Sequence, residues 1–200
     1  SAYYESTQAH KQLNETAKNK AESEGVKFYR TESASHSTRN DGARFDYDSI
    51  STFSSVASAA MQDYYNQLGM QTSFNAYSYY GHTPLTAAMF SVKYEFTDNT
   101  PSLPTNMTEI GSQTYSTGNN AASTVHLYEY NNTLPLGFMV NMSTEANWNK
   151  ETGNPFTTQN SFVKTAIDSD ANIFHQLQTT DTVGTFTAKY QLEEDDNYKP

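Results

Sequence analysis

The stretch Thr83-Pro-Leu-Thr-Ala-Ala-Met-Phe-Ser-Val-Lys-Tyr-Glu-Phe96 decides the fold class. Thr83 is a residue type favoured at a helix N-cap, and Pro84 is favoured at the first helical position. At Ser91 the apolar spacing changes from the helical period to the alternation that is typical of a strand. This stretch therefore predicts a helix over 84–90 that leads directly into a strand.

Further helices are predicted where apolar residues recur at helical spacing. In the helix predicted near 55–68, Ser54 or Ser55 can cap the start, and Gly69 can take the left-handed position after the end. A polar helix at the start of the chain carries a thin apolar stripe at Ala9, Leu13 and Ala17. The predicted helices lie at 1–24, near 55–68, at 84–90 and near 158–167.

Strands are predicted where β-branched and aromatic residues alternate with polar ones between turn signals. The turn signals are Asn40-Asp41-Gly42, Gly118-Asn119-Asn120 and Asn131-Asn132. The strand candidates are 26–31, 43–48, 91–96, 109–116, 123–130, 136–141 and 183–192. Together with the helices they predict an α+β fold, in which helices pack on a mixed, largely antiparallel sheet.

Composition excludes several classes of function. The 200 residues include 12 Lys and Arg against 22 Asp and Glu, which gives a formal charge of −10. A protein that neutralises phosphates needs a basic face, so no nucleic-acid partner is expected. The chain has no cysteine, which excludes disulfides and thiolate nucleophiles. Ser, Thr and Asn make up about a third of the chain, a composition common in the cell envelope of Gram-positive bacteria.

The titratable residues predict neither a metal site nor a catalytic centre. The five histidines have no metal-ligand spacing among themselves, and no motif of a serine nucleophile is present. The hydroxyls of residues 51–55 are interpreted as helix caps. No catalytic residue, metal or cofactor is therefore assigned.

Two aspartates leave alternatives open. Asp46 and Asp48 flank Tyr47 on a predicted strand and would then share one face. Paired carboxylates can carry out acid–base chemistry or bind calcium. Alternating polar residues on the outer face of a strand give the same pattern, and we favour that interpretation.

One segment combines aromatic rings with amide and imidazole groups in a way that suits sugars. Aromatic faces stack on the C–H faces of sugar rings, while amides bind their hydroxyls. The alternative is that alternating tyrosines only build the face of a sheet. The candidate ligand-binding residues are Asn75, Tyr77, Tyr79, Tyr80, His82 and Trp148, with Asn147 as a further amide.

Several motifs resemble the YfhO family of bacterial membrane proteins, over roughly residues 26–175. The Gly-x-Thr-Pro block at 81–84 followed by Val-Lys-Tyr, combined with Leu-Pro-Leu-Gly-Phe, carries most of the resemblance. The matching segments are Phe53-Ser-Ser55, Leu68-Gly69, Tyr79 to Tyr94, Leu134-Pro-Leu-Gly-Phe-Met-Val-Asn141 and Asn154-Pro-Phe-Thr-Thr-Gln-Asn-Ser-Phe-Val163.

The resemblance implies a multi-pass membrane protein similar to glycosyltransferases that use a polyprenyl-phosphate sugar and modify cell-wall polymers such as lipoteichoic acid. In such enzymes the catalytic carboxylate lies in an early loop between membrane helices. No segment here corresponds to that loop, so we expect the isolated chain to be inactive. The resemblance implies an accessory or substrate-positioning domain, whose partners are a glycan or lipid-linked sugar and the membrane portion of the same polypeptide. The alternative is a secreted carbohydrate-binding or adhesin module.

The sequence pattern and the resemblance also predict how the chain is divided. Residues 1–24 are expected to form a helical lead-in close to a chain boundary or membrane edge. Residues 25–192 are expected to form a single extracytoplasmic domain, and residues 193–200 an acidic tail or linker. The expected location is the cell membrane, on its extracytoplasmic side.

Overall fold

The structure is a computed structural model of the 200-residue chain. It describes residues 1–98, 106–118, 120–150 and 153–176, together with the backbone of 190–192. The predicted strand at 183–192 therefore lies mostly outside the described residues, and so does the acidic segment 193–200.

The described residues form helices and strands in alternation. The helices are α1 (Ala2–Ser23), α2 (Asp41–Phe45), α3 (Ala59–Gln67), α4 (Pro84–Met89), α5 (Thr144–Asn147) and α6 (Pro155–Ile167). The strands are β1 (Arg30–Ser33), β2 (Thr52–Phe53), β3 (Thr72–Ser73), β4 (Ala76–Tyr77), β5 (Val92–Thr97), β6 (Met107–Gly118), β7 (Ala121–Tyr130), β8 (Phe174–Gln176) and β9 (Tyr190–Leu192).

The main sheet has four strands in the order β1-β5-β7-β6. β1 pairs with β5 in parallel, whereas β5 pairs with β7 and β7 with β6 in antiparallel fashion. A second, antiparallel sheet has the order β2-β4-β3, and β8 pairs with β9. The α+β fold with a mixed, largely antiparallel sheet is thereby confirmed.

The chain divides into two compact units. The first contains Ser1–Asn66 and Met70–Phe138, and so holds the main sheet and the β2-β4-β3 sheet. The second contains Gln67–Gly69 and Met139–Pro200, with α5, α6 and the β8-β9 pair. In the second unit the Asn160 side chain holds the start of β8, because its Oδ1 accepts from the backbone of Ile173 and Phe174.

The core of the first unit lies between α1 and one face of the main sheet. The predicted apolar stripe of α1 is buried, and its small residues let the helix approach the sheet closely. The residues that form this core are Ala9, Leu13, Ala17 and Ala21 from the helix and Tyr94, Phe96, Val125 and Leu127 from the sheet. Helix α1 packs mainly against β6.

The predicted helix–strand unit is confirmed as α4 and β5. The Thr83 side chain accepts the backbone N–H of Thr86, and the Thr86 hydroxyl accepts the backbone N–H of Thr83, which forms a reciprocal capping box. Pro84 stands at the start of the helix. Ser91 takes a left-handed backbone conformation with φ of 57°, and this turns the chain from α4 into β5.

The predicted strand at 43–48 is wrong, because this segment forms α2 and a left-handed turn. The Asp41 carboxyl group accepts the backbone N–H groups of Ser37 and Thr38, which ties the preceding loop to the helix start. Asp46 then ends the helix with φ of 66°. Short polar side chains that bond the local backbone compete with strand formation. Asp46 and Asp48 consequently do not share a strand face, and Asp46 instead pairs with Lys18.

Two further boundaries differ from the predictions. Helix α3 begins at Ala59 rather than near 55, so Ser54 and Ser55 do not cap it. The predicted strand at 136–141 does not form: the segment is irregular, and the backbone N–H of Asn141 donates to the carbonyl of Ala166 in α6 instead of to a neighbouring strand.

The remaining predictions agree with the structure to within a few residues. Predicted strands at 109–116 and 123–130 correspond to β6 and β7, joined by a turn in which Gly118 and Asn120 have positive φ. Instead of the strand predicted at 26–31, the chain forms β1, which begins later, at Arg30, and ends at Ser33. The predicted helix at 158–167 begins earlier, at Pro155, because Asn154 caps it.

Candidate functional site

A cluster of four polar side chains, three of them buried and His82 half-buried, forms where α4, β5 and β7 meet in the first unit. Glu95 comes from β5 and Tyr130 from the end of β7, while Tyr79 and His82 precede α4. The Tyr79 hydroxyl donates to Glu95 Oε2 at 2.7 Å, and the Tyr130 hydroxyl donates to the same oxygen at 2.9 Å. The two hydroxyl oxygens are 2.6 Å apart. One carboxyl oxygen therefore binds both phenols.

His82 completes the cluster from the side. Its ring stacks on the Tyr79 ring, with centroids 3.6 Å apart. Its Nδ1 lies 3.1 Å from the carbonyl oxygen of Tyr79, and because a carbonyl only accepts, Nδ1 carries the proton. Its Nε2 lies 3.3 Å from the Tyr130 hydroxyl and 3.4 Å from Glu95 Oε2.

Burial changes the acidity of these groups. Burial lowers the pKa of His82, and the nearby negative charge of Glu95 opposes this without reversing it. His82 is therefore neutral at pH 7, and its Nε2 is an acceptor. Burial, with the charge of Glu95 adding to it, raises the pKa of Tyr79 and of Tyr130. Both phenols keep their protons at neutral pH.

The cluster has fewer protons available for hydrogen bonds than it has polar contacts between its side chains. The Nδ1 proton of His82 is used on the Tyr79 carbonyl, so the imidazole brings no further proton to the cluster. Two phenol protons thus serve four contacts, namely two to Glu95, one between the phenols and one to His82. The cluster can therefore accept a further hydrogen bond from a donor outside it.

A small cleft adjoins the cluster. It has a volume of about 240 Å³, and His82, Glu95 and Tyr130 line it together with Pro84 and Met107. This is below the roughly 300–1,000 Å³ of most small-molecule sites. The cleft therefore suits one small ring or the end of a larger ligand.

The structure brings some of the predicted ligand-binding residues together and separates others. Tyr79 is fully buried, so its ring face is not available to a ligand, and it acts in the cluster through its hydroxyl. Tyr80 is half-buried, and its hydroxyl accepts the backbone N–H of His36 at 2.7 Å. Tyr77 packs on Tyr65 with ring centroids 4.7 Å apart.

The other two predicted residues lie elsewhere. Asn75 has φ of 56° at the turn between β3 and β4. Trp148 belongs to the second unit, where its Nε1 donates to the carbonyl of Thr158 and its ring packs on Phe162. Ligand binding by the six residues stays a prediction.

Sequence reasoning missed Glu95 and Tyr130. The available signal was a carboxylate between two aromatic residues, Tyr94 and Phe96, in the strand Val92–Thr97. A charge at such a position needs partners, because unpaired buried charges are unfavourable. The sequence did not identify Tyr130 as that partner, since it comes from a strand that starts more than 20 residues later.

Other site classes find no support in the described residues. Among residues 1–98, 106–118, 120–150 and 153–176, no three His, Asp or Glu side chains are placed to hold a metal ion. None of the helices in that part of the chain is long and apolar enough to cross a bilayer.

The fold and this cluster define an α+β chain. Its first unit holds a carboxyl–tyrosine–histidine site beside a cleft. The family model described as bacterial membrane protein YfhO matches residues 1–198. The chain therefore belongs to the YfhO family of bacterial membrane proteins, and the match extends beyond the 26–175 of the sequence resemblance. No significant match was found among curated proteins or among solved structures.

Proposed function

We propose that this chain is an extracytoplasmic, substrate-positioning domain of a multi-pass membrane protein that resembles polyprenyl-phosphate-sugar-dependent glycosyltransferases. The acceptor would be a cell-wall polymer such as lipoteichoic acid, and the domain would act beside the membrane portion of the same polypeptide. Family membership supports the association with a membrane. The observation that carries the positioning role is the cleft beside Glu95.

The chemistry of that cleft suits a hydroxyl-bearing ligand. Glu95, Tyr130 and His82 line it, and their cluster has acceptor capacity to spare. A sugar hydroxyl supplies the missing proton, while Pro84 and Met107 offer apolar surface to the C–H face of the ring. The groups are hydrogen-bonded to one another rather than arranged around a nucleophile, so the domain binds substrate and does not itself transfer sugar.

The location can be tested because this chain has no cysteine. In a full-length protein without other cysteines, Val56→Cys places a thiol at a position that is 86% exposed. We expect a membrane-impermeant maleimide to label this variant in intact cells. Ala87→Cys is the matched control, because Ala87 is fully buried and should stay unlabelled. Labelling of Val56→Cys only after cell lysis would contradict the proposed location.

The positioning role is tested by Glu95→Gln in the full-length protein. Glutamine keeps the shape but removes the charge, so we expect sugar incorporation into the wall polymer to fall. Glu109→Gln, at an exposed carboxylate that contacts His126, is the control. Unchanged incorporation in Glu95→Gln would overturn the role.

Sugar transfer by the purified chain from a polyprenyl-phosphate sugar would show that it is catalytic. A parent with a signal peptide and a wall anchor, without membrane spans, would favour the adhesin alternative.

A further inference from the structure

A second cleft in the first unit has a mostly apolar lining. It lies between the segment that leads into β1 and the segment that follows β7, and its volume is about 450 Å³. None of its residues lines the cleft beside Glu95. The lining residues that carry the argument are Lys27, Phe28, Lys93, Leu134 and Leu136.

Two apolar side chains of this cleft are open to solvent. Phe28 is 70% exposed, and Leu136 is 53% exposed. A small-molecule site covers most of the surface of its ligand, and side chains as exposed as these do not close over one. Exposed apolar residues that lie together instead mark a surface on which a protein or a membrane docks. The cleft therefore suits an extended surface better than an enclosed ligand.

The charged residues of the cleft are both basic. They are Lys27 and Lys93, and no carboxylate among the described residues lines the cleft. The Nζ of Lys93 lies 2.7 Å from Glu129 and 3.2 Å from Glu24. Lys20 contacts the same two carboxylates, so these four charges cancel. Lys27 is exposed and forms no ion pair within the part of the chain that the structure describes, so it leaves the cleft with a positive charge.

This combination favours the surface of an anionic bilayer as the partner. Segments that bind at the membrane interface combine apolar side chains, which leave water, with Lys or Arg, which lie beside the lipid phosphates. Membership of a family of membrane proteins makes a bilayer an available partner. A protein partner fits less well, because a stable interface takes about 20–30 residues a side. This cleft is built only from Lys93 and the short segments 26–29 and 133–137.

We propose that this cleft docks on an anionic bilayer, with Phe28 and Leu136 entering the interfacial layer and Lys27 lying beside lipid phosphate groups. The inference rests on the membrane association in the proposed function, and it adds the face of the first unit that meets the membrane. It does not depend on the binding of sugar beside Glu95.

The test uses the whole chain and two kinds of vesicle, one of phosphatidylglycerol and phosphatidylcholine in equal parts and one of phosphatidylcholine alone. Co-sedimentation at low salt measures the partition coefficient. We expect the chain to bind the mixed vesicles more tightly than the neutral ones, and salt to weaken that binding by screening the charges. Phe28→Ser should weaken binding to the mixed vesicles about tenfold. Lys27→Gln should weaken it about fivefold.

The matched controls are Phe74→Ser and Lys11→Gln. Phe74 is 87% exposed and Lys11 is also exposed, but neither lines this cleft. We expect both variants to bind vesicles as the parent chain does. Because the Phe28 side chain is mostly exposed, Phe28→Ser should also unfold in urea as the parent chain does.

The inference is overturned if the parent chain does not bind the mixed vesicles, or if either control weakens binding as much as its matching variant. A dimer of the parent chain that Phe28→Ser dissociates would identify a second copy as the occupant and would overturn it as well.

These outcomes are separate from those of the proposed function. Glu95 does not line this cleft, so Glu95→Gln should bind vesicles as the parent chain does. A parent chain that does not bind vesicles would overturn the docking surface alone. Unchanged sugar incorporation in Glu95→Gln would overturn the positioning role alone.

Discussion

Ser51 and Glu32 are joined by a buried hydrogen bond, in which the Ser51 hydroxyl donates to Glu32 Oε2 at 3.0 Å. The same hydroxyl accepts the backbone N–H of Tyr79 at 2.9 Å. Glu32 also accepts from the Ser49 hydroxyl and from the backbone N–H groups of Ile50 and Ser51. One hydroxyl thus links β1 to the segment that carries Tyr79 into the candidate site.

Ser51→Ala is therefore expected to destabilise the fold. It leaves the backbone N–H of Tyr79 and one oxygen of Glu32 short of a partner, at a cost of about 1–3 kcal/mol. Ser55→Ala is the control, since Ser55 is exposed. Urea unfolding of both variants measures the difference. Equal stability of the two variants would contradict the structural role of Ser51.

Glu95→Gln is expected to lower the pKa of His82 further. The charge of Glu95 raises that pKa against the larger effect of burial, so removing the charge leaves burial unopposed. NMR titration of the His82 ring protons measures the change. Glu109→Gln should leave the pKa of His82 as it is. A rise in the His82 pKa on Glu95→Gln would show that the two groups do not interact as described.

The free energy of unfolding is expected to fall as the pH is lowered from about 7 to about 5. Burial lowers the pKa of His10 and of His82 from the ordinary value of 6.5. Both rings are neutral in the folded protein at a pH where the unfolded chain already takes up protons. The unfolded state therefore gains stability as the pH falls through 6.5.

His10→Gln isolates one part of this effect. His10 is buried and its ring stacks on Phe45 with centroids 4.1 Å apart. The variant should be less stable at pH 7, but its stability should depend less on pH between about 7 and 5. Chemical denaturation at several pH values measures both. An unchanged pH dependence would mean that His10 does not contribute to it.

Gly69→Ala is expected to destabilise the second unit through two effects. Gly69 has φ of +85°, where an L-residue is disfavoured by about 1–2 kcal/mol. A Cβ there would also lie 2.7 Å from Cβ of Pro155. Gly25→Ala is the matched control, because Gly25 also follows a helix and has φ of +71°, but its Cβ would meet nothing within 4 Å. A smaller loss of stability in Gly69→Ala than in Gly25→Ala would contradict this contact.

Local signals were enough to predict most elements of the fold. Thr83 and Pro84 fix the start of α4 through groups adjacent in sequence, and Gly118 marks the turn between β6 and β7. The strand prediction at 43–48 was wrong because the alternation of polar and apolar residues in this segment is indistinguishable from that of a strand. The hydrogen bonds of Asp41 and the left-handed turn at Asp46 override it, and neither depends on hydrophobic period.

The candidate site depended on contacts between distant parts of the chain. Tyr79 and His82 were found because they lie in one aromatic segment. Glu95 and Tyr130 were missed because only the pairing of β5 with β7 brings them to that segment.

The position of α1 in the core has a consequence for how this chain folds during synthesis. The stripe of Ala9, Leu13 and Ala17 is buried against residues from 94 to 127, and β1 pairs with β5. During synthesis, helix α1 is therefore made long before the strands that cover it. Contacts between residues so far apart in sequence slow folding. The first unit can close only after β7 has emerged, so this unit folds after Tyr130 has been translated and not while the segment before it is being made.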